Sequence, residues 1–123
     1  MKTVAAGLAA VALLAACGGS GGGGGGGQPA GSTQVSMTEF KFDPSTIIVA
    51  HGNVTFWLVN AGTTAHDLSI RDSSGKTVAT SELVSAGDSA AFTVNNLAAG
   101  SYTFVCTQPG HEQSGMKGTL TVT

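Results

Sequence analysis

Four side chains of the 123-residue chain, three of them close together near its end, carry most of its chemical content. Cys106, His111 and Met116 follow one another at C-x4-H-x4-M spacing, all within a single loop between β-rich segments. Pro109 and Gly110 let that loop fold back sharply. A thiol, an imidazole and a thioether presented together form a soft ligand set, which selects copper over magnesium or calcium. Three such ligands need a fourth from elsewhere in the chain. His66 stands 40 residues before Cys106, after a Gly-Thr-Thr loop. Two imidazoles and one thiolate in trigonal array, with a long axial thioether, describe an electron-transfer copper centre. Each residue alone has a plainer reading. A single Cys is usually an inert buried thiol, and it can also link two chains. A lone Met is usually core, and a lone His is usually surface. The coincidence of order, spacing and strand context favours one copper per chain. The third histidine, His51, sits in a His-Gly-Asn turn with no soft partner and is read as exposed, not as a ligand.

These ligands need a frame, and the pattern from residue 33 onward predicts one made of strands. Residues 34–42 are β-rich and stop at Asp43-Pro44. Residues 46–50, 54–60, 66–72, 89–94, 101–106 and 116–123 alternate apolar and polar side chains or are rich in β-branched ones, and 77–83 is a weaker candidate. Turn residues separate them, among them Ser73-Ser74-Gly75-Lys76. Seven or eight short strands at this spacing predict an all-β Greek-key sandwich. No helical period is long enough to compete, although a short helical turn near 81–84 is compatible with the sequence. Alternation places Tyr102, Phe104 and Cys106 on one inward face. Leu97-Ala98-Ala99-Gly100-Ser101-Tyr102 predicts a corner in which the Tyr hydroxyl bonds back to upstream backbone. Trp57 and the five Phe are expected in the core.

Residues 60–67, Asn-Ala-Gly-Thr-Thr-Ala-His-Asp, and Cys106-Thr107-Gln108-Pro109-Gly110-His111, followed by Met116-Lys117-Gly118, resemble the cupredoxins. The auracyanin-like, azurin-like and plastocyanin-like members are the nearest in spacing. The resemblance extends over nearly all of residues 33–123. It implies a Greek-key sandwich that shuttles one electron between larger redox proteins as copper alternates between Cu(II) and Cu(I). It also implies that His66, Cys106 and His111 are equatorial ligands, Met116 is axial, and the exposed edge of His111 is the electron port. The pattern departs at Asp67, where many members have Asn. An ionised carboxylate accepts but does not donate, so the hydrogen-bonded bridge between ligand loops, to Thr107, is put in question.

The amino terminus reads as an address. Lys2 precedes a 13-residue apolar run, residues 4–16, too short for a bilayer span of about 20 residues and suited to a signal peptide. It ends in Leu14-Ala15-Ala16-Cys17, which resembles a bacterial lipoprotein signal with Cys17 lipidated. Residues 17–32 then form a Gly-rich flexible tether, and 33–123 the folded domain. This predicts an exported protein anchored by lipid on the extracytoplasmic side of a membrane, periplasmic or at the cell surface. Five basic and seven acidic side chains, with no basic run, argue against nucleic acid. Redox proteins are the expected donor and acceptor. A copper carrier or store of the same fold is the alternative. An enzyme is not expected, because related oxidases build further copper sites from His-x-His pairs and only three His are present.

Overall fold

A computed structural model describes residues 27–123. Cys17, the proposed leader and most of the tether lie outside them. Nine strands follow in order: β1 Thr33–Thr38, β2 Lys41–Asp43, β3 Thr46–Val49, β4 Gly52–Asn60, β5 Ser69–Asp72, β6 Thr77–Thr80, β7 Ser89–Leu97, β8 Gly100–Val105 and β9 Lys117–Val122. They form two sheets, β2-β1-β4-β7 and β3-β9-β8-β5-β6. The all-β sandwich is as the alternation predicts. The differences are local. The 34–42 segment is broken by a turn at Glu39 and Phe40, so it supplies two strands rather than one. Residues 81–84 form no helical turn; Val84 instead makes an isolated bridge with His66. His66 therefore lies ahead of β5, not in it.

Period-2 alternation builds the interior. Val54, Phe56 and Leu58 of β4 point inward, beside Val35 and Met37 of β1 and Phe92 and Val94 of β7. Ile47, Ile70, Phe104, Leu120 and Val122 meet them from the second sheet. Burial of each of the large side chains stabilises the fold by roughly 1.5–3 kcal/mol. Phe104 packs edge-on against Phe42 at 5.0 Å between ring centroids. Gly118 makes room for that ring and for the Ser45 carbonyl oxygen, because a Cβ there would overlap the Phe104 ring and lie 2.5 Å from that oxygen. Tyr102 forms the expected corner, its hydroxyl donating to the Ala98 carbonyl at 2.7 Å. Trp57 is only half-buried, on the outer face of β4, because it alternates with the inward Phe56 and Leu58. Phe40 is 41% exposed in the β1–β2 turn.

Register decides where the loops meet. β1 runs parallel to β4 with Met37 opposite Asn60, so both strands end together. Val105, the last residue of β8, pairs with Ser69 at the start of β5 and with Lys117 at the start of β9. In each sheet, the loops that carry the candidate ligands thus emerge at one strand end.

Candidate metal centre

Each ligand loop is fastened before its side chain is aimed. Asn60, at the end of β4, is 1% exposed and organises the loop that follows it. Its Oδ1 accepts from the Gly62 N–H at 2.9 Å, while Nδ2 donates to the Thr64 and Val84 carbonyls, each at 2.8 Å. His66 then exchanges two backbone hydrogen bonds with Val84, at 3.1 and 2.8 Å. The ring of His66 is wholly buried.

The second loop closes on itself. Met116 N–H donates to the His111 carbonyl and Cys106 N–H to the Met116 carbonyl, both at 3.1 Å. One backbone unit thereby ties together the three residues spaced at C-x4-H-x4-M. Arg71 of β5 holds the loop's flank through a two-pronged pair with Glu112 at 3.1 and 3.2 Å. Cys106 and Met116 are 0% exposed and belong to the core cluster, whereas His111 is half-buried.

The two loops bring three ligand atoms face to face. His66 Nδ1 lies 3.2 Å from His111 Nδ1 and 3.9 Å from Cys106 Sγ, and the His111 Nδ1–Cys106 Sγ separation is 3.5 Å. A point equidistant from these three atoms is about 2.1 Å from each, in the range of first-row metal–nitrogen and metal–sulfur bonds. This geometry and the soft donor set fit a single copper ion. His51 stays apart, exposed at the other end of β4, with Nδ1 2.8 Å from the Thr123 carbonyl oxygen.

The electrostatics of the buried site oppose ionisation of the free Cys106 thiol. Burial pushes the Cys106 thiol up from its ordinary value, while backbone N–H groups of Asp67 and Gln108 aimed at it pull the other way. A bound cation displaces the thiol proton despite the buried setting. The Asp67 bridge is made, with Asp as acceptor throughout. Its carboxylate takes the Thr107 N–H at 2.7 Å and the Thr107 hydroxyl in a second, very short bond. No donor is needed from residue 67 because Thr107 supplies both.

Two neighbours of the site escaped the sequence reading. Glu39 reaches across from the β1–β2 turn, and its Oε1 lies 2.7 Å from Thr63 N, 2.9 Å from Thr64 N, 3.0 Å from Thr64 Oγ1 and 3.2 Å from His66 Nε2. The Thr64 and Thr63 N–H groups lower its pKa to about 2. Phe40, the next residue, sets its ring edge-on to His111 at 4.9 Å. Glu39 and Phe40 thus touch one candidate histidine each. Their chain positions carry no local signature of that role, since the contacts span 27 residues in the first case and more in the second. Asn60 did carry a signal. An Asn before Ala-Gly is an Asx-turn pattern, with the side-chain oxygen accepting two residues on.

A sandwich of four and five strands, with a His–Cys–His triangle buried on two of its three sides between loops at one end, defines a cupredoxin with a candidate mononuclear copper site. The family comparison agrees: the family model described as "Cupredoxin-like domain" matches residues 7–122. The chain belongs to that family. It is 34% identical to the plastocyanin from Dryopteris crassirhizoma, covering 74% of this chain and 100% of that one, with a TM-score of 0.57. The reduced auracyanin of Roseiflexus castenholzii superposes with a TM-score of 0.67 over 75% of this chain and 96% of that one, at 23% identity. Auracyanin-B of Chloroflexus aurantiacus is 51% identical over 41 residues, which is 33% of this chain and 17% of that protein.

Proposed function

We propose that this chain is a one-electron carrier tethered to a membrane surface, in which His66, Cys106 and His111 would hold the copper ion with Met116 as the fourth ligand. The observation that carries the reading is the triangle of ligand atoms, buried on the His66 and Cys106 sides and open only toward half-buried His111. Copper supplies the one-electron step by alternating between Cu(II) and Cu(I). The residues of the chain do the rest. The sheets hold the three ligand atoms near bonding distance of one point, so little protein movement accompanies a change of charge. His111 offers the short path to the surface, with Phe40 and Pro109 beside it as an apolar landing for a redox partner. Burial of His66, Cys106 and Met116 speaks against ready metal exchange, and so against the carrier or storage alternative.

The tether completes the proposal. Lipidated Cys17 would anchor the chain on the extracytoplasmic face, and residues 18–32 would let the domain swing between donor and acceptor. One acyl chain binds a membrane only marginally, so stable anchoring calls for more than one.

Titration of the reduced-thiol protein with Cu(II), followed by its visible spectrum, tests the copper reading. An intense thiolate-to-copper band that saturates at one equivalent and bleaches reversibly with a reductant is expected. A folded protein without that band overturns it. Export of the full chain with Cys17→Ser tests the anchor separately: the variant should move from the membrane fraction to the soluble one, and retention on the membrane removes the lipid from the account.

A further inference from the structure

The carboxylate of Glu39 is placed where it governs His66. Glu39 Oε1 lies 3.2 Å from His66 Nε2. An ionised carboxylate only accepts, so Nε2 must carry the ring proton in this contact. The lone pair of the neutral ring is then on Nδ1, the atom that faces Cys106 Sγ and His111 Nδ1. The opposite tautomer would point an N–H into the site and could not ligate there. His66 is wholly buried, so water does not compete for either nitrogen.

Glu39 is itself held still. Two N–H groups and one hydroxyl from Thr63 and Thr64 converge on Oε1. Gly62 leaves the space it occupies, since a Cβ there would fall 2.5 Å from that oxygen. The same residues form the loop that leads into His66. Glu39 therefore clasps the loop and the ring together, from a different hairpin.

We infer that Glu39 is a positioning residue for the copper centre, presenting His66 Nδ1 to the metal and biasing the bound ion toward its more highly charged state. The inference rests on the copper reading above and deepens it. A fixed negative charge one imidazole ring from the ion attracts a dipositive ion more than a monopositive one. Partners of this kind also raise the basicity of the ligand they orient. Asp67 adds a second carboxylate on the Cys106 side, through Thr107. The remaining nearby acid, Glu112, is neutralised by Arg71.

Two measurements separate this inference from the reading beneath it. Glu39→Gln keeps the shape and an acceptor oxygen but removes the charge. The ratio of Cu(II) to Cu(I) affinity should fall about tenfold, which raises the reduction potential by about 59 mV. A change in that ratio of less than about threefold, with copper bound, would overturn the charge role. The second measurement needs no metal, and its decisive arm needs only the wild-type protein. Nitrogen NMR of the apo wild-type protein at mildly alkaline pH should show His66 protonated on Nε2 alone, and Glu39→Leu should let the Nδ1–H form appear. An apo His66 already protonated on Nδ1 would overturn the positioning role. Failure of the wild-type protein to bind copper would sink the proposed function while leaving the ring measurement to decide this one.

Discussion

Replacing Asn60 with Ala should destabilise the apo protein by about 2–4 kcal/mol and loosen His66. The magnitude follows from the hydrogen-bond inventory. Asn60 is 1% exposed and makes three hydrogen bonds, to Thr64 O, Val84 O and Gly62 N. Val84 O keeps a partner in the variant, because the His66 N–H also donates to it. The Thr64 carbonyl and the Gly62 N–H lose theirs. Each buried group left unpaired costs about 1–3 kcal/mol, less where water can enter. Two such groups in a part-buried loop give the stated range. Asn60→Asp is the sharper companion. It conserves shape but replaces the two donated N–H bonds with a carboxylate set against two carbonyl oxygens. It should be at least as damaging near neutral pH, and the loss should shrink as acid protonates the new carboxyl. The assay is urea denaturation of the apo protein followed by Trp57 fluorescence, with copper affinity measured in parallel. Loss of less than about 1 kcal/mol in both variants, with copper affinity intact, would refute the claim that Asn60 pins the loop that presents His66.

Other outcomes are expected at the ligands and at Glu39. Cys106→Ser should abolish the thiolate-to-copper band while the apo fold persists, because Ser is nearly isosteric; a full band in that variant would remove Cys106 from the site. Met116→Gln should leave copper bound but change the potential, since the axial ligand tunes it; an unchanged potential would show that Met116 is not axial. Glu39 titrates near 2 in the folded chain against an ordinary value of 4.5, chiefly because of the Thr64 and Thr63 N–H groups. A depressed folded pKa adds stability above the unfolded value and loses it as pH falls from about 4.5 to about 2. The stability of the apo wild-type protein should therefore exceed that of Glu39→Gln above about pH 4.5 and converge on it as pH falls toward about 2; curves that stay parallel through that window would contradict the clasp.

The fold was legible because a sandwich is written in period 2. Val54, Phe56 and Leu58 alternate with exposed or half-buried neighbours, so β4 is readable without any partner. The ligand loop was legible for a related reason. Cys106, His111 and Met116 share one short segment, and soft side chains at such spacing have few other uses. Edges were harder. A strand and a turn are both compatible with Glu39 and Phe40, and only pairing of β1 with β2 decides between them. The assignment of all five Phe to the core failed at Phe40 because size alone does not say which face of a turn meets solvent.

Taken by itself, the sequence determined the strand periodicity, the turn positions and the soft candidate ligands of the Cys106–Met116 loop, all of which are local properties of neighbouring residues. The tertiary structure alone decided that β1 lies parallel to β4 and that Val105 of β8 pairs with Ser69 of β5 and Lys117 of β9, which brings the ligand loops to one strand end in each sheet. It also decided that Glu39 meets His66 and Phe40 meets His111. Those contacts are made by residues far apart in the chain, and nothing short of packing two sheets face to face puts a carboxylate on the far nitrogen of a buried imidazole.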